Sequence, residues 1–202
     1  MTNEKNTNKI KKIVLAAGES KRFGDKNKLS EMINNKPIIN RVLDTLIEIF
    51  DYSELIVILG HEYKLIKNLI FNKDIKILEN VDYKKGIGTS IALGVNYLDR
   101  DIDGVMIIPA DMPYLNSKDL FNLEKKFIEL NCEKVVMPEY NSRIGNPVIL
   151  PRSYFNILKS LKDDFGARSL IKNKDIITLK TGFGTIFDID TRDELTKTKP
   201  NF

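Results

Sequence analysis

The sequence predicts a single-domain α/β fold with a mostly parallel central sheet flanked by helices, and three observations predict it. From Lys9 onward, apolar runs of strand length alternate with segments of helical period. The runs are β-branched or Leu-rich with little internal alternation, as in parallel strands buried on both faces. The 202 residues suffice to enclose such a sheet between helix layers without disulfides or a structural metal.

The strands expected first are residues 13–17, 55–59, 75–78 and 105–109. Between them, residues 37–50 carry Ile38, Val42, Leu46 and Ile49 at helical spacing, and 89–98 and 117–130 behave alike, with Ser117 as the expected N-cap. The C-terminal third is less regular. Strands are expected at 134–137, 148–150, 176–179 and 185–189, and helices at 151–161 and 167–172. Residues 1–8 are polar, without the apolar stretch of a signal peptide, and are expected as a disordered tail before a domain over 9–199.

Composition narrows the function. The hydrophobic fraction of 42% beside 30% charged residues is that of a globular chain. No apolar run approaches the roughly 20 residues of a membrane-spanning helix. The single Cys132 leaves no internal disulfide and the single His61 no partner for a zinc cluster, so a reducing compartment, the cytoplasm, is expected. The net charge of +4 comes from lysines interspersed with acids. It fits anionic small molecules as well as polyanions, and neither nucleic acid nor membrane is an expected partner.

The most informative stretch is Leu15-Ala16-Ala17-Gly18-Glu19-Ser20-Lys21-Arg22-Phe23-Gly24, followed by Lys28-Leu29. It turns the C-terminal end of the first strand into a small, glycine-punctuated, basic loop, where open α/β sheets bind ligands. Gly18 and Gly24 let the backbone approach a phosphate, and Arg22 and Lys28 add charge to anchor a polyphosphate. No G-x-x-x-x-G-K-[ST] occurs, and the close pair Gly86 and Gly88 lies outside the first βα turn, which disfavours a P-loop ATPase and a dinucleotide dehydrogenase. A second constellation, Ile107-Ile108-Pro109-Ala110-Asp111-Met112-Pro113, ends an apolar strand in one acid. A carboxylate there suits a hard Mg²⁺ ion, or it caps the following segment.

The first stretch, read as Leu-Ala-Ala-Gly-x-Ser-x-Arg-Phe-Gly-x-x-x-Lys, resembles the signature of the nucleotidyltransferases whose fold is shared by molybdenum-cofactor, sugar-nucleotide and isoprenoid cytidylyl enzymes. The resemblance implies a Rossmann-like NTP transferase domain. In it the Leu15, Ala16, Ala17 and Gly18 backbone would meet base and ribose, with Ser20 and Gly24 in the same loop. Arg22 would meet the outer phosphates and Lys28 those around the scissile bond. Residues 187–195 resemble the family's closing Asp-Ile-Asp-Thr-x-x-Asp-Leu, which makes Asp190 the second metal ligand beside Asp111, with Asp188 next in line. Alternation along a strand would put both acids on one face, and either could cap the next helix.

Further motifs resemble those of molybdopterin cytidylyltransferases. Asn80 with Gly86 and Ser90 would hold base and ribose. Gly145, Asn146 and Pro147, and then Gly166, Ala167 and Arg168, stand where that family has its acceptor-side motifs. Ala110 and Asp163 depart from it, each standing where a Gly is usual. The resemblance implies Mg²⁺-dependent transfer of CMP from CTP to molybdopterin with release of pyrophosphate, Arg22, Lys28 and Asp111 being catalytic. A molybdoenzyme or its maturation factor would receive the product. GTP as donor, a sugar phosphate or isoprenoid acceptor, and a non-catalytic cofactor-delivery protein remain the alternatives.

Overall fold

A computed structural model describes residues 9–24, 26–171 and 176–197. The tail expected over 1–8 and the domain's last residues, 198–199, lie outside them. The chain begins with β1 (Ile10–Ala16), a hairpin of β2 (Met32–Ile33) and β3 (Lys36–Pro37), and α1 (Ile38–Ile47). It continues through β4 (Leu55–Leu59), α2 (Tyr63–Leu69), β5 (Lys76–Glu79), α3 (Ile87–Asn96), β6 (Gly104–Pro109) and α4 (Ser117–Glu129). Then come β7 (Val135–Tyr140), β8 (Arg143–Ile144), β9 (Val148–Pro151), α5 (Phe155–Lys159), β10 (Ile176–Lys180) and α6 (Arg192–Lys197).

Strands β10-β7-β9-β6-β1-β4-β5 lie side by side in one eight-stranded sheet, with β8 paired to β7. β6, β1, β4 and β5 are parallel, as are β10 and β7, while β9 runs antiparallel between β6 and β7. The mostly parallel sheet expected from the sequence is the one observed. Side-chain alternation builds its two helix layers. From β1, Ile10, Val14 and Ala16 pack with apolar residues of α1, α2 and α4. Ile13 and Leu15 pack with those of α3 and α5.

β1 starts three residues before the expected strand because Lys12 belongs inside it. The Lys12 side chain is fully buried, and its ammonium is neutralised by Glu54 and Glu124 and lies 4.0 Å from the Phe50 ring centroid. A buried cation is tolerable when paired in this way. The β2–β3 hairpin was not anticipated, although its signal is present. Asn34 and Asn35 both take left-handed backbone, the pair of positive φ angles that a two-residue hairpin turn requires. Helix α2 is short, with one buried residue, Ile66.

Four local expectations are corrected. Asn116, not Ser117, caps α4, its side chain accepting from the Asp119 amide at 2.8 Å. The strand expected at 185–189 does not form. Residues Phe183–Thr185 make one 3₁₀ turn in which Gly184 packs so close to the Tyr114 carbonyl that a Cβ would overlap it, and residues 186–189 lie outside the sheet ladder, with no strand paired to them. The helix expected at 151–161 divides into a 3₁₀ turn, Arg152–Tyr154, and the short α5. That expected at 167–172 is a 3₁₀ turn, Ala167–Leu170, with Lys172 outside the described residues. Among the described residues no helix is long and apolar enough to cross a membrane.

Candidate active site

The loop after β1 is held by its own residues. The Phe23 amide donates to the Ser20 carbonyl at 2.8 Å, closing a turn in which Ser20 takes left-handed backbone. The Phe23 ring, 2% exposed, anchors the turn in the core. Buried Asn27 accepts from the Leu29 amide and opens the 3₁₀ turn Lys28–Ser30. The Ser20 hydroxyl accepts from the Lys28 amide at 3.3 Å, so this serine ties the ends of the loop together. The effect is to aim the Lys28 side chain at the end of β6.

There the ladder runs one residue past Pro109, with the Ala110 amide donating to the Leu15 carbonyl at 3.0 Å. Asp111 comes next, its Oδ2 2.6 Å from Lys28 Nζ. The third partner arrives from the C-terminal strap. Asp190 Oδ1 lies 3.1 Å from Lys28 Nζ, and its Oδ2 lies 2.8 Å from an Arg22 guanidinium nitrogen. Burial works to lower the Lys28 pKa, but the Asp111 and Asp190 carboxylates outweigh it and the net shift is upward. Lys28 is therefore a fixed ammonium at neutral pH.

Asp111, Asp188 and Asp190 each offer a carboxylate oxygen within 4.8 Å of the others, Asp188 being the most exposed. Asp111 Oδ1 is buried without a hydrogen-bond partner. An orphaned carboxylate oxygen beside two further acids is a donor set suited to a hard divalent cation. The structure brings Asp111 and Asp190 together, and Asp188, the acid next in line, lies in the same group.

Arg22, Lys28, Asp111 and Asp190 line a cleft of about 530 Å³ at the C-terminal edge of the sheet. One wall is Leu15, Ala16, Ala17, Gly18, Ser20 and Arg22, with Lys28 below them; the other is the turn at Tyr83–Lys85 with Gly86, Ile87 and Ser90. Gly86 has a φ of +118° and packs against the Asp164 backbone, a combination that only glycine meets without strain. Asn80 stands behind this wall. Buried, it donates to Thr89 Oγ1 and Ser90 Oγ at 2.9 Å each and accepts from the Asp82 amide at 3.0 Å, which holds the turn in shape. Gly24 lies at the far end of the loop, near the Arg192 side chain.

The residues expected on the acceptor side do not line this cleft. Asn146 donates its amide to the Thr185 carbonyl at 2.7 Å, Gly145 packs on the same residue, and the Asn146–Pro147 peptide is cis. Arg168 donates to the Ile144 carbonyl at 2.8 Å, and Gly166 and Ala167 form the turn that carries it. The two motifs meet each other through Arg168. From the neighbouring stretch, Asp164 reaches the cleft. Sequence reasoning missed Tyr83, Lys84 and Lys85 as cleft residues, though the two lysines beside Gly86 were a visible cationic signal.

Residues 12–177 match the MobA-like NTP transferase domain. The chain belongs to that family. The purine catabolism protein PucB of Bacillus subtilis is 27% identical over 194 residues, covering 90% of this chain and 92% of PucB. The bifunctional protein GlmU of Thermosipho melanesiensis is 30% identical over 140 residues, or 68% of this chain. The match spans only 29% of GlmU's own length. The fold matches that of Rv0371c from Mycobacterium tuberculosis with a TM-score of 0.81 at 21% identity, covering 94% of this chain and 96% of the other. Rv0371c has also been solved as a complex with manganese, to which the TM-score is 0.77 at 18% identity.

Proposed function

We propose that this protein, a member of a nucleotidyltransferase family, transfers CMP from CTP to a molybdopterin-type acceptor and releases pyrophosphate, with Mg²⁺ as its cation. The observation that carries the chemistry is the Lys28 ammonium held between Asp111 and Asp190 beneath a basic, glycine-containing loop. The motifs that resemble those of molybdopterin cytidylyltransferases support the acceptor. For the donor, Ala17 lines the cleft where related guanylyltransferases resemble one another in having Gly, and a methyl group there would crowd a purine, which favours CTP over GTP.

The acceptor's phosphate attacks the α-phosphorus of the NTP in line, the α–β bridging oxygen leaves with pyrophosphate, and no covalent protein intermediate forms. An acceptor phosphate is already ionised at neutral pH, so a general base has little to remove. Lys28 supplies positive charge where the leaving oxygen becomes negative, and Arg22 holds the outer phosphates. Asp111 Oδ1 is free of the ion pairs with Lys28 and Arg22 and can meet a cation without nucleotide, and a triphosphate that takes Lys28 and Arg22 would free the paired oxygens of Asp111 and Asp190 as well. Those two acids, with Asp188 beside them, would hold Mg²⁺, which when bound neutralises phosphate charge and orients the triphosphate.

The test is pyrophosphate release with Mg²⁺ and each of CTP, GTP, UTP and ATP, with molybdopterin, a sugar phosphate, an isoprenoid precursor or no acceptor. Release that needs both CTP and molybdopterin supports the reading. Release with GTP and molybdopterin corrects the donor, and release only with a sugar phosphate or an isoprenoid precursor corrects the acceptor. Nucleotide binding without release for any acceptor would make the protein a carrier of finished cofactor that hands it to a molybdoenzyme or its maturation factor.

A further inference from the structure

The metal acid Asp190 sits on a strap without a strand to hold it. Residues 186–190 come after the 3₁₀ turn Phe183–Thr185 and precede α6, and they pair in no sheet ladder. The Ile189 amide donates to the Asp111 carbonyl at 2.9 Å, which fixes the strap one residue short of Asp190. The Asp190 carboxylate must nonetheless reach Lys28 with one oxygen and Arg22 with the other. A one-residue lever of free backbone would not keep it there.

The missing restraint comes from Glu194. Its Oε2 accepts from the Asp190 amide at 2.8 Å and from the Thr191 amide at 2.9 Å, and the Thr191 hydroxyl accepts from the Glu194 amide at 3.3 Å. This is the reciprocal bonding of a helix capping box with its acidic member extended by one residue. The extra bond falls on the backbone of Asp190 itself. Two positions before Glu194, Arg192 lies over the buried Phe23 ring, its guanidinium carbon 5.9 Å from the centroid. The first turn of α6 therefore touches the phosphate-side loop through Arg192 and the metal side through Glu194.

We infer that Glu194 is a positioning residue for the cation site: through the Asp190 and Thr191 amides it sets the direction of the Asp190 carboxylate and hence the affinity for the divalent ion. It touches neither substrate nor the reacting atoms and acts only through Asp190. The inference rests on the reading of Asp111 and Asp190 as cation ligands, and its test separates the two. Backbone partners that orient a ligand carry part of a metal site's affinity, of the order of 10-fold to 100-fold when lost.

The experiment is a Mn²⁺ titration of the full chain without nucleotide, monitored by electron paramagnetic resonance of the free ion, on wild type, Asp111→Asn, Glu194→Ala and Glu194→Gln. Asp111→Asn is expected to lose most of the binding. Glu194→Ala is expected to weaken it about tenfold. Glu194→Gln keeps an oxygen that can accept from both amides, so it should stay within about threefold of wild type, a recovery that loss of α6 alone would not give. Wild-type affinity in Glu194→Ala while Asp111→Asn binds weakly overturns the inference alone. Wild-type affinity in Asp111→Asn overturns the cation reading and the inference together. Should Glu194→Ala fail to fold, hydrogen exchange on the wild type decides. Protected Asp190 and Thr191 amides support the clip, and rapid exchange at both overturns it.

Discussion

The two halves of the candidate site are built in different ways. Lys28 and Asp111 stand on loops at the ends of β1 and β6, adjacent strands whose apolar side chains are buried in both helix layers. Asp188 and Asp190 come from a strap that joins no sheet ladder and is held by buried Ile189, by Phe187 against Tyr114 and Phe183, and by single hydrogen bonds: Gly182 to Asp119, Asn146 to Thr185, Ile189 to Asp111 and Asp190 to Glu194. The first half inherits its geometry from the sheet, while the second depends on each fastening in turn. Placement on a cooperative core is robust and placement by isolated bonds is adjustable, so substitutions in the two halves should fail differently.

The largest effect is expected on the sheet-borne half. Lys28→Ala or Asp111→Ala should lower kcat by roughly 100-fold or more, the order seen when one preorganised electrostatic group is removed. Steady-state pyrophosphate release measures it, and near-normal turnover in either variant sinks the assignment.

On the strap the comparison becomes internal. Asp190 bonds both Lys28 and Arg22, whereas Asp188 is the more exposed acid of the same group. Asp190→Asn should therefore lower kcat by about 10-fold to 100-fold, and Asp188→Asn by less. Equal losses would mean that both acids serve the cation alike, and a greater loss at Asp188 would reverse the order proposed for them.

This contrast also explains what could be read from the sequence. The four core strands, the basic loop and Asp111 announce themselves by runs of β-branched residues, by glycines and by an acid at a strand end, all local signals. On the strap the same kind of local signal misleads. The strap's course is decided by partners far away in sequence, such as the Tyr114 carbonyl against Gly184, and a stretch like Thr185-Ile186-Phe187-Asp188-Ile189 has the composition of a strand without the neighbour that would make it one. The same reasoning separates Asn80 from Ser90. Sequence proximity to a ligand motif does not tell a lining residue from the one that braces it, and here Asn80 is the brace.

Glycines test the same division through stability. A Cβ at Gly184 would overlap the Tyr114 carbonyl, so Gly184→Ala must displace the strap. Overpacking of this kind costs about 1–3 kcal/mol, with a melting temperature lower by roughly 2–4 °C per kcal/mol for a chain of this length. A Cβ at Gly18 meets nothing within 4 Å. Gly18→Ala should leave thermal unfolding unchanged and raise the KM for the nucleotide. A loss of stability at Gly18 would show that the loop needs the glycine for folding rather than for room beside a ligand.

The smallest effect tests the join between the two halves. Asn116 caps α4 through the Asp119 amide, and its side-chain amide also donates to Asp119 Oδ2 at 2.6 Å. That same Oδ2 accepts from the Gly182 amide at 2.8 Å, where the strap begins. Removing the cap should cost about 1 kcal/mol, as loss of an Asn N-cap does, while Ser117→Ala should stay within about 0.5 kcal/mol. Chemical denaturation of both variants measures the difference. If the cap only holds the helix, Asn116→Ala changes stability alone. If it also steadies Asp119 for Gly182, turnover falls as well, because a looser strap carries Asp190 away from Lys28.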